Sequence, residues 1–268
     1  MAAFLALLAL LQTAGVHVER VAVPGPNGVN LDAALVLPAG PVSRAPAIIA
    51  LHGCGGPFPM RDGPWAVNLA RAGHAVLLPD SFGSRGLGSQ CGVPLGQRGV
   101  THDGARRDDS IAAARWLMAQ PGTPPGGVAL MGWSNGGSTV LATARVAAGL
   151  PPGLFRRFVA FYPGCAGPVG DSGWRPSAPV MVLVGQDDDW TPAPPCHALA
   201  ARFPGQVTMI GYPGAHHDFD AQDRPVKVRE GAATAVGGRA HAGTNEPARQ
   251  DAYARVPAWL ENGAPPAR

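Results

Sequence analysis

Ser134 stands between Gly132 and Gly136 in the stretch GWSNGG. A serine hydroxyl is a poor nucleophile at neutral pH. It attacks a carbonyl only when an imidazole takes its proton and a carboxylate holds that imidazole in the right tautomer. Both partners occur further along: three carboxylates in QDDDWTP (186–192) and two adjacent histidines in YPGAHHDFD (212–220). Upstream, LHGCGG (51–56) is a glycine-rich turn able to present a backbone N–H to an oxyanion. Each stretch has a plainer explanation when taken alone. With 37 glycines in 268 residues, G-x-S-x-G arises by accident, an aspartate triplet often caps a turn, and a loop histidine is often merely solvated.

The elements that would have to hold these groups decide between the explanations. VALM, before Ser134, reads as a buried parallel strand, and 138–148 reads as a helix, so the serine falls in a strand–turn–helix elbow. PAIIALHG, HAVLLPD, RFVAFYPG, PVMVLVGQ and VTMIGYPG read as further buried strands, mostly separated by segments that can hold helices. ERVAVP and LDAALVLP alternate as an antiparallel pair around GPNG. Helices are expected over 64–72, 108–119, 138–148, 195–203 and 250–261, and 220–247 reads as a long irregular surface loop. The sum is an α/β fold with a mostly parallel, doubly wound sheet and helices on both faces. In such sheets ligands sit outside the carboxyl ends of the strands, which is where the serine, the carboxylates, the histidines and the glycine turn all fall. Their joint placement, in the chain order Ser, Asp, His, favours acyl-transfer chemistry.

HGCGG, LPDSFGSRGLG, GWSNGG, GQDDDWTP and YPGAHHDFD together resemble the dienelactone hydrolase family of α/β-hydrolases, from about Val21 to the final helix. The resemblance implies Ser134 as nucleophile, Asp188 as the acid three residues after Gly185, and His217 as the base in a Y-x-G-A-x-H-x-F pattern. Asp187, Asp189 and His216 are the nearest competing assignments. It also implies an oxyanion hole made by the backbone N–H groups of Cys54 and Asn135, and chemistry that needs no metal or organic cofactor. Dienelactone hydrolases proper are similar but carry cysteine at the nucleophile position. Serine here favours a general hydrolase of small carboxylic esters or lactones.

Two alternatives use the same residues differently. One is a non-catalytic α/β-hydrolase fold that binds a partner. The other is a metal-dependent hydrolase using HHDFD with CHALA, Cys196 to Ala200, although adjacent histidines lack the one-turn spacing that puts two ligands on one helix face. Arg85, in DSFGSRG, offers a planar fork for a substrate carboxylate, with a structural pairing to Asp80 as the alternative. Only fifteen residues, 164–178, separate two strands where this fold often inserts a cap, so an open site without a cap domain is expected.

The charge balance is +3 and dispersed, with no basic run interleaved with aromatics, which argues against nucleic acid. The small-molecule ester or lactone is the expected partner, and the sequence is silent on oligomeric state. The apolar start is too short to span a bilayer but fits the centre of a secretion signal. Residues 1–16 are therefore read as a signal peptide ahead of a single domain at 19–264, with a buried N-terminal helix as the alternative and a secreted or periplasmic location over a cytoplasmic one. Given the strand order usual for the resembled fold, the four cysteines lie at the ends of neighbouring strands as Cys54–Cys91 and Cys165–Cys196, the pairing expected on export.

Overall fold

In the computed structural model, residues 2–12, 15–42, 46–147 and 150–262 are described. Met1 and residues 13, 14, 43–45, 148, 149, 263 and 264, which fall within the expected signal, elbow helix and domain, lie outside the described residues. Eight strands form the main sheet: β1 (His17–Pro24), β2 (Asn30–Leu37), β3 (Ala47–Leu51), β4 (Val76–Pro79), β5 (Val128–Trp133), β6 (Phe155–Phe161), β7 (Val180–Gly185) and β8 (Val207–Tyr212). Their order is β1-β2-β4-β3-β5-β6-β7-β8. β2 runs antiparallel to both of its neighbours, β1 and β4. From β4 through β8 every pairing is parallel.

The central strands are apolar throughout because both faces are covered. Alternate side chains of β3 show it: Ala47, Ile49 and Leu51 enter one core, Ile48 and Ala50 the other. The first core is closed by α3 (Ala105–Met118), α4 (Asn135–Ala144) and α6 (Pro194–Arg202), through Leu117, Leu141 and Leu199. The second is closed by α1 (Ala2–Gln12), α2 (Pro59–Arg71) and α7 (Glu246–Asn262), through Leu7, Trp65 and Trp259. The stripe Phe4, Leu7 and Leu11 sits at helical spacing, and all three side chains are buried. α5 (Ala166–Gly170), five residues long, is the only helix between β6 and β7.

Helix starts depart from the expected bounds for identifiable reasons. Pro59 occupies the first turn of α2, where its missing N–H costs nothing, so the helix begins before Pro64 rather than at it. α7 starts four residues early because Asn245 Oδ1 accepts the Ala248 N–H as a cap. The larger correction concerns 220–247. It is not wholly irregular: β9 (Lys227–Glu230) and β10 (Arg239–Ala242) pair as an antiparallel ribbon. Four-residue strands with mostly exposed side chains leave too little alternation to be read.

Candidate active site

Ser134 sits at φ 55°, ψ −115°, a conformation that costs a non-glycine residue on the order of 1–3 kcal/mol and persists only where the surroundings enforce it. They do so here. The Ser134 N–H donates to the Phe161 carbonyl at 2.9 Å, and its own carbonyl accepts from Ser138 N–H at 2.8 Å as α4 begins. A Cβ on Gly132 would lie 2.6 Å from the Gly136 carbonyl oxygen, and one on Gly136 would be driven into the Leu51 carbonyl. The glycines thus let β5, α4 and the end of β3 meet around the serine.

After β7, the Asp188 carboxylate divides its two oxygens. Oδ1 accepts the backbone N–H groups of Trp190 (2.8 Å) and Thr191 (2.9 Å), which leaves Oδ2 to face His217 Nδ1 at 2.8 Å. His217 lies between the rings of Tyr162 and Trp190, with centroids 4.5 and 4.7 Å away. Burial works against charging this imidazole, but the Asp188 charge and hydrogen bond outweigh it and hold the His217 pKa above its ordinary value. Nδ1 therefore carries the proton toward Asp188. Nε2 is buried and has no hydrogen-bond partner among the described residues. Ser134 and His217 line one pocket of about 230 Å³.

Around them the loops supply donors. Cys54 N–H and Asn135 N–H, the latter in the first turn of α4, engage no acceptor among the described residues. Disulfides join Cys54 to Cys91 and Cys165 to Cys196, with Cα–Cα separations of 4.9 and 5.1 Å. These are the expected pairs. They follow from the adjacency of β3 with β4 and of β6 with β7. With its sulfur in a disulfide, Cys196 offers no thiolate, and neither it nor His197 belongs to a metal-capable group among the described residues, so the HHDFD–CHALA ligand set does not come together.

Arg85 is not brought to the pocket. Its guanidinium forks onto Asp109, at 2.8 and 2.7 Å, and donates to the Ser81 carbonyl, so it pairs with Asp109 and not with Asp80. Asp80 instead accepts the N–H groups of Phe82 and Gly83. The competing acid and base candidates also go elsewhere: Asp189 pairs with His241, and His216 bonds the Asp187 carbonyl.

The pocket's cations are ones that the sequence reading missed: Arg61, Arg224 and Arg229. Arg61 is buried beneath it, bonded to Asp62 and Asp218, with its guanidinium over the Trp133 ring. Burial pushes the Asp218 carboxyl up, but Arg61 and His217 overcome this and hold it below the usual carboxylate range. Arg224 lies 3.8 Å from Asp218, and Arg229 rests over Trp190. Arg224 and Arg229 come from the segment that gave no pattern, so no local signal marked them. A second cavity of about 390 Å³ opens on the other side of Ser134, with Leu95, Pro163 and Pro195 in its wall. Nearby, buried Asp220 accepts from Trp65, Trp133 and Tyr162, locking the floor behind β5 and β6.

The model of the dienelactone hydrolase family matches residues 31–263. No curated protein sequence matches the chain. Among solved structures, a protein of Klebsiella pneumoniae assigned as a dienelactone hydrolase superposes with a TM-score of 0.70 at 18% identity, over 92% of this chain and 99% of that one. A dienelactone hydrolase-like promiscuous phosphotriesterase from metagenomic libraries gives 0.68 at 20% identity, over 92% and 98%. An esterase of Pyrobaculum calidifontis gives 0.64 at 17% identity, over 98% and 91%. At these identities the likeness is one of fold. Among the described residues no helix is long and apolar enough to cross a membrane.

Proposed function

The chain belongs to the dienelactone hydrolase family, and on that premise we propose that it cleaves small carboxylic esters or lactones through an acyl-enzyme on Ser134. The observation that carries this reading is the buried His217, tied through Nδ1 to Asp188 and left with a free Nε2 in the pocket that Ser134 lines. Nε2 takes the Ser134 proton as Oγ attacks the carbonyl carbon. The negative oxygen that forms is met by the N–H groups of Cys54 and Asn135, the second aided by the positive end of α4. His217 then protonates the leaving alkoxide. Water, deprotonated by the same imidazole, releases the acid and restores the serine.

The two cavities meeting at Ser134 suggest how substrate lies. Arg224 and Arg229 favour a carboxylate-bearing portion on one side, and the more apolar cavity takes the rest. With no cap between β6 and β7, soluble short-chain esters need no lipid interface.

We also propose residues 1–16 as an export signal and an oxidising compartment as the destination, a reading supported by the apolar start and the two disulfides, whereas the packing of Phe4, Leu7 and Leu11 into the second core favours a retained N-terminal helix. N-terminal sequencing of exported protein is expected to begin beyond residue 16. A mature chain that retains Phe4 overturns this.

A serine-directed fluorophosphonate tests the chemistry. The native chain is expected to label at Ser134 and to turn over members of an ester and lactone panel, and Ser134→Ala to do neither. Native protein that does not label points instead to a non-catalytic binding protein. A Ser134→Ala variant with parental rates overturns the nucleophile.

A further inference from the structure

Beyond the proposed hydrolytic site, three side chains from three different segments converge on the outer side of the same loops. Asp189 follows β7, His216 follows β8, and His241 belongs to β10. Each offers one ligand atom, and these atoms lie within 4.8 Å of one another. The imidazoles face each other with centroids 5.2 Å apart.

Hydrogen bonds already orient this cluster. His216 Nδ1 lies 2.7 Å from the Asp187 carbonyl oxygen. A carbonyl can only accept, so the proton is on Nδ1 and the lone pair is on Nε2. A backbone carbonyl behind one imidazole nitrogen is the arrangement that fixes the tautomer of metal-binding histidines. Asp189 Oδ1 accepts the His241 backbone N–H at 2.8 Å, and Oδ2 meets His241 Nδ1 at 2.8 Å. The carboxylate is thus held in place while one oxygen shares a single proton with an imidazole.

We propose that Asp189, His216 and His241 form a binding site for a divalent transition-metal ion of the Zn²⁺ class. Two imidazoles and one carboxylate suit such an ion better than Mg²⁺ or Ca²⁺, which prefer all-oxygen shells. Ligand bonds of roughly 2.0–2.2 Å place ligand atoms ~3.3 Å apart, so the ion replaces the shared proton and draws the three side chains inward. Asp189 and His241 are 45% and 47% exposed, which leaves them room to move and leaves water a further coordination position.

The consequence is mechanical. The ion fastens the β9–β10 ribbon to the two loops that end in Asp188 and His217. That ribbon segment carries Arg229 and Thr234, which bonds the Trp190 indole N–H at 2.9 Å. The site therefore acts as a clamp on one wall of the pocket and takes no part in bond breaking.

Titration of the full chain, first stripped with chelator, with Zn²⁺ by calorimetry and with Co²⁺ by visible absorption tests the site. One equivalent is expected to bind, with ligand-field bands of a four- or five-coordinate Co²⁺. At a hundredfold excess over Kd, Zn²⁺ is expected to raise the melting temperature by roughly 5 °C. His241→Ala and Asp189→Asn are each expected to weaken binding at least ~10-fold and to abolish the thermal shift. Absence of saturable one-equivalent binding to the native chain overturns the proposal. So does binding that both variants retain.

Discussion

Arg106 donates one guanidinium N–H to Asn135 Oδ1 at 2.5 Å and another to the His52 carbonyl at 2.7 Å. One fully buried side chain therefore spans the two segments that carry the proposed oxyanion donors, Asn135 and, two residues past His52, Cys54. Burial draws the Arg106 pKa down to about 10, with Asp109 the largest opposing influence, so the guanidinium stays charged at neutral pH. Lysine keeps the charge but cannot reach both acceptors with a planar fork. Loss of a whole oxyanion donor costs about 10²–10³ in kcat, and a displaced donor costs less. Arg106→Lys is expected to lower kcat about 10- to 100-fold with KM nearly unchanged, measured on a short aryl ester alongside a melting curve. An unchanged kcat in folded protein removes the positioning role.

The Cys54–Cys91 bridge anchors the same donor from the other side. It closes a loop over a sequence separation of 37 residues, and Cys165–Cys196 one of 31, so chain entropy assigns each a similar stabilisation of about 2–4 kcal/mol. Only the first holds a proposed oxyanion N–H. Replacing Cys54 and Cys91 together by serine is expected to lower both denaturation midpoint and kcat. Replacing Cys165 and Cys196 is expected to lower the midpoint similarly, with the smaller change in kcat. Equal effects of the two pairs on kcat would show that the first bridge does not position the donor.

These contrasts bear on what the sequence disclosed. The six parallel strands were legible because a strand covered on both faces is apolar along its length, as Val128–Trp133 is, or nearly so, as β6 is beyond Arg156 and Arg157, and each ends on a glycine, proline or polar turn. The placement of Ser134, Asp188 and His217 at strand ends was legible because each occupies a short motif there. Arg229 and Arg224 were not, since their place depends on how a ribbon with little alternation folds back over Cys54 and Trp190, a contact long-range in sequence. Arg85 misled for a related reason. A guanidinium near a strand end can reach a ligand or a buried carboxylate, and the deciding residue, Asp109, sits 24 residues on, in α3, where no local pattern links it to Arg85.

Arg85 and Arg229 therefore separate by variant. Asp109 has no exposed side-chain surface, and Arg85→Ala removes both hydrogen bonds to its carboxylate, leaving Arg106 as the neighbouring cation, at a cost of about 3 kcal/mol, the lower end for a broken buried pair. Reduced stability with an unaltered ratio of acidic to neutral ester turnover is expected. Arg229→Ala is expected to leave stability nearly intact and to raise KM about tenfold, equivalent to ~1.4 kcal/mol, for a carboxylate-bearing ester relative to its neutral analogue. If Arg85→Ala shifts that ratio and Arg229→Ala does not, the assignment of the anion-facing side chain is reversed.

His52 supplies a dependence of stability on pH. Its Nδ1 lies 2.8 Å from the Gly53 carbonyl, and its Nε2 accepts the Ser81 N–H at 3.2 Å, so the ring is neutral with its proton on Nδ1. A second proton would have to sit on Nε2, against that N–H. Burial first, and then the positive charge of Arg106, push the His52 pKa well below the unfolded value of 6.5. Above pH 6.5 the ring is neutral in both states and folding incurs no proton loss. Below it the unfolded chain takes up a proton that the folded chain refuses, so this group's contribution is lost as pH falls, at up to ~1.4 kcal/mol per pH unit. Glutamine can offer an amide N–H and a carbonyl to the same two partners without titrating. The stability advantage of the native chain over His52→Gln, from denaturant unfolding, is therefore expected to shrink between pH 8 and pH 5. An advantage that stays constant or grows over that range would mean that His52 is protonated in the folded protein, paired with Asp80, whose Oδ1 lies 3.6 Å from Nε2.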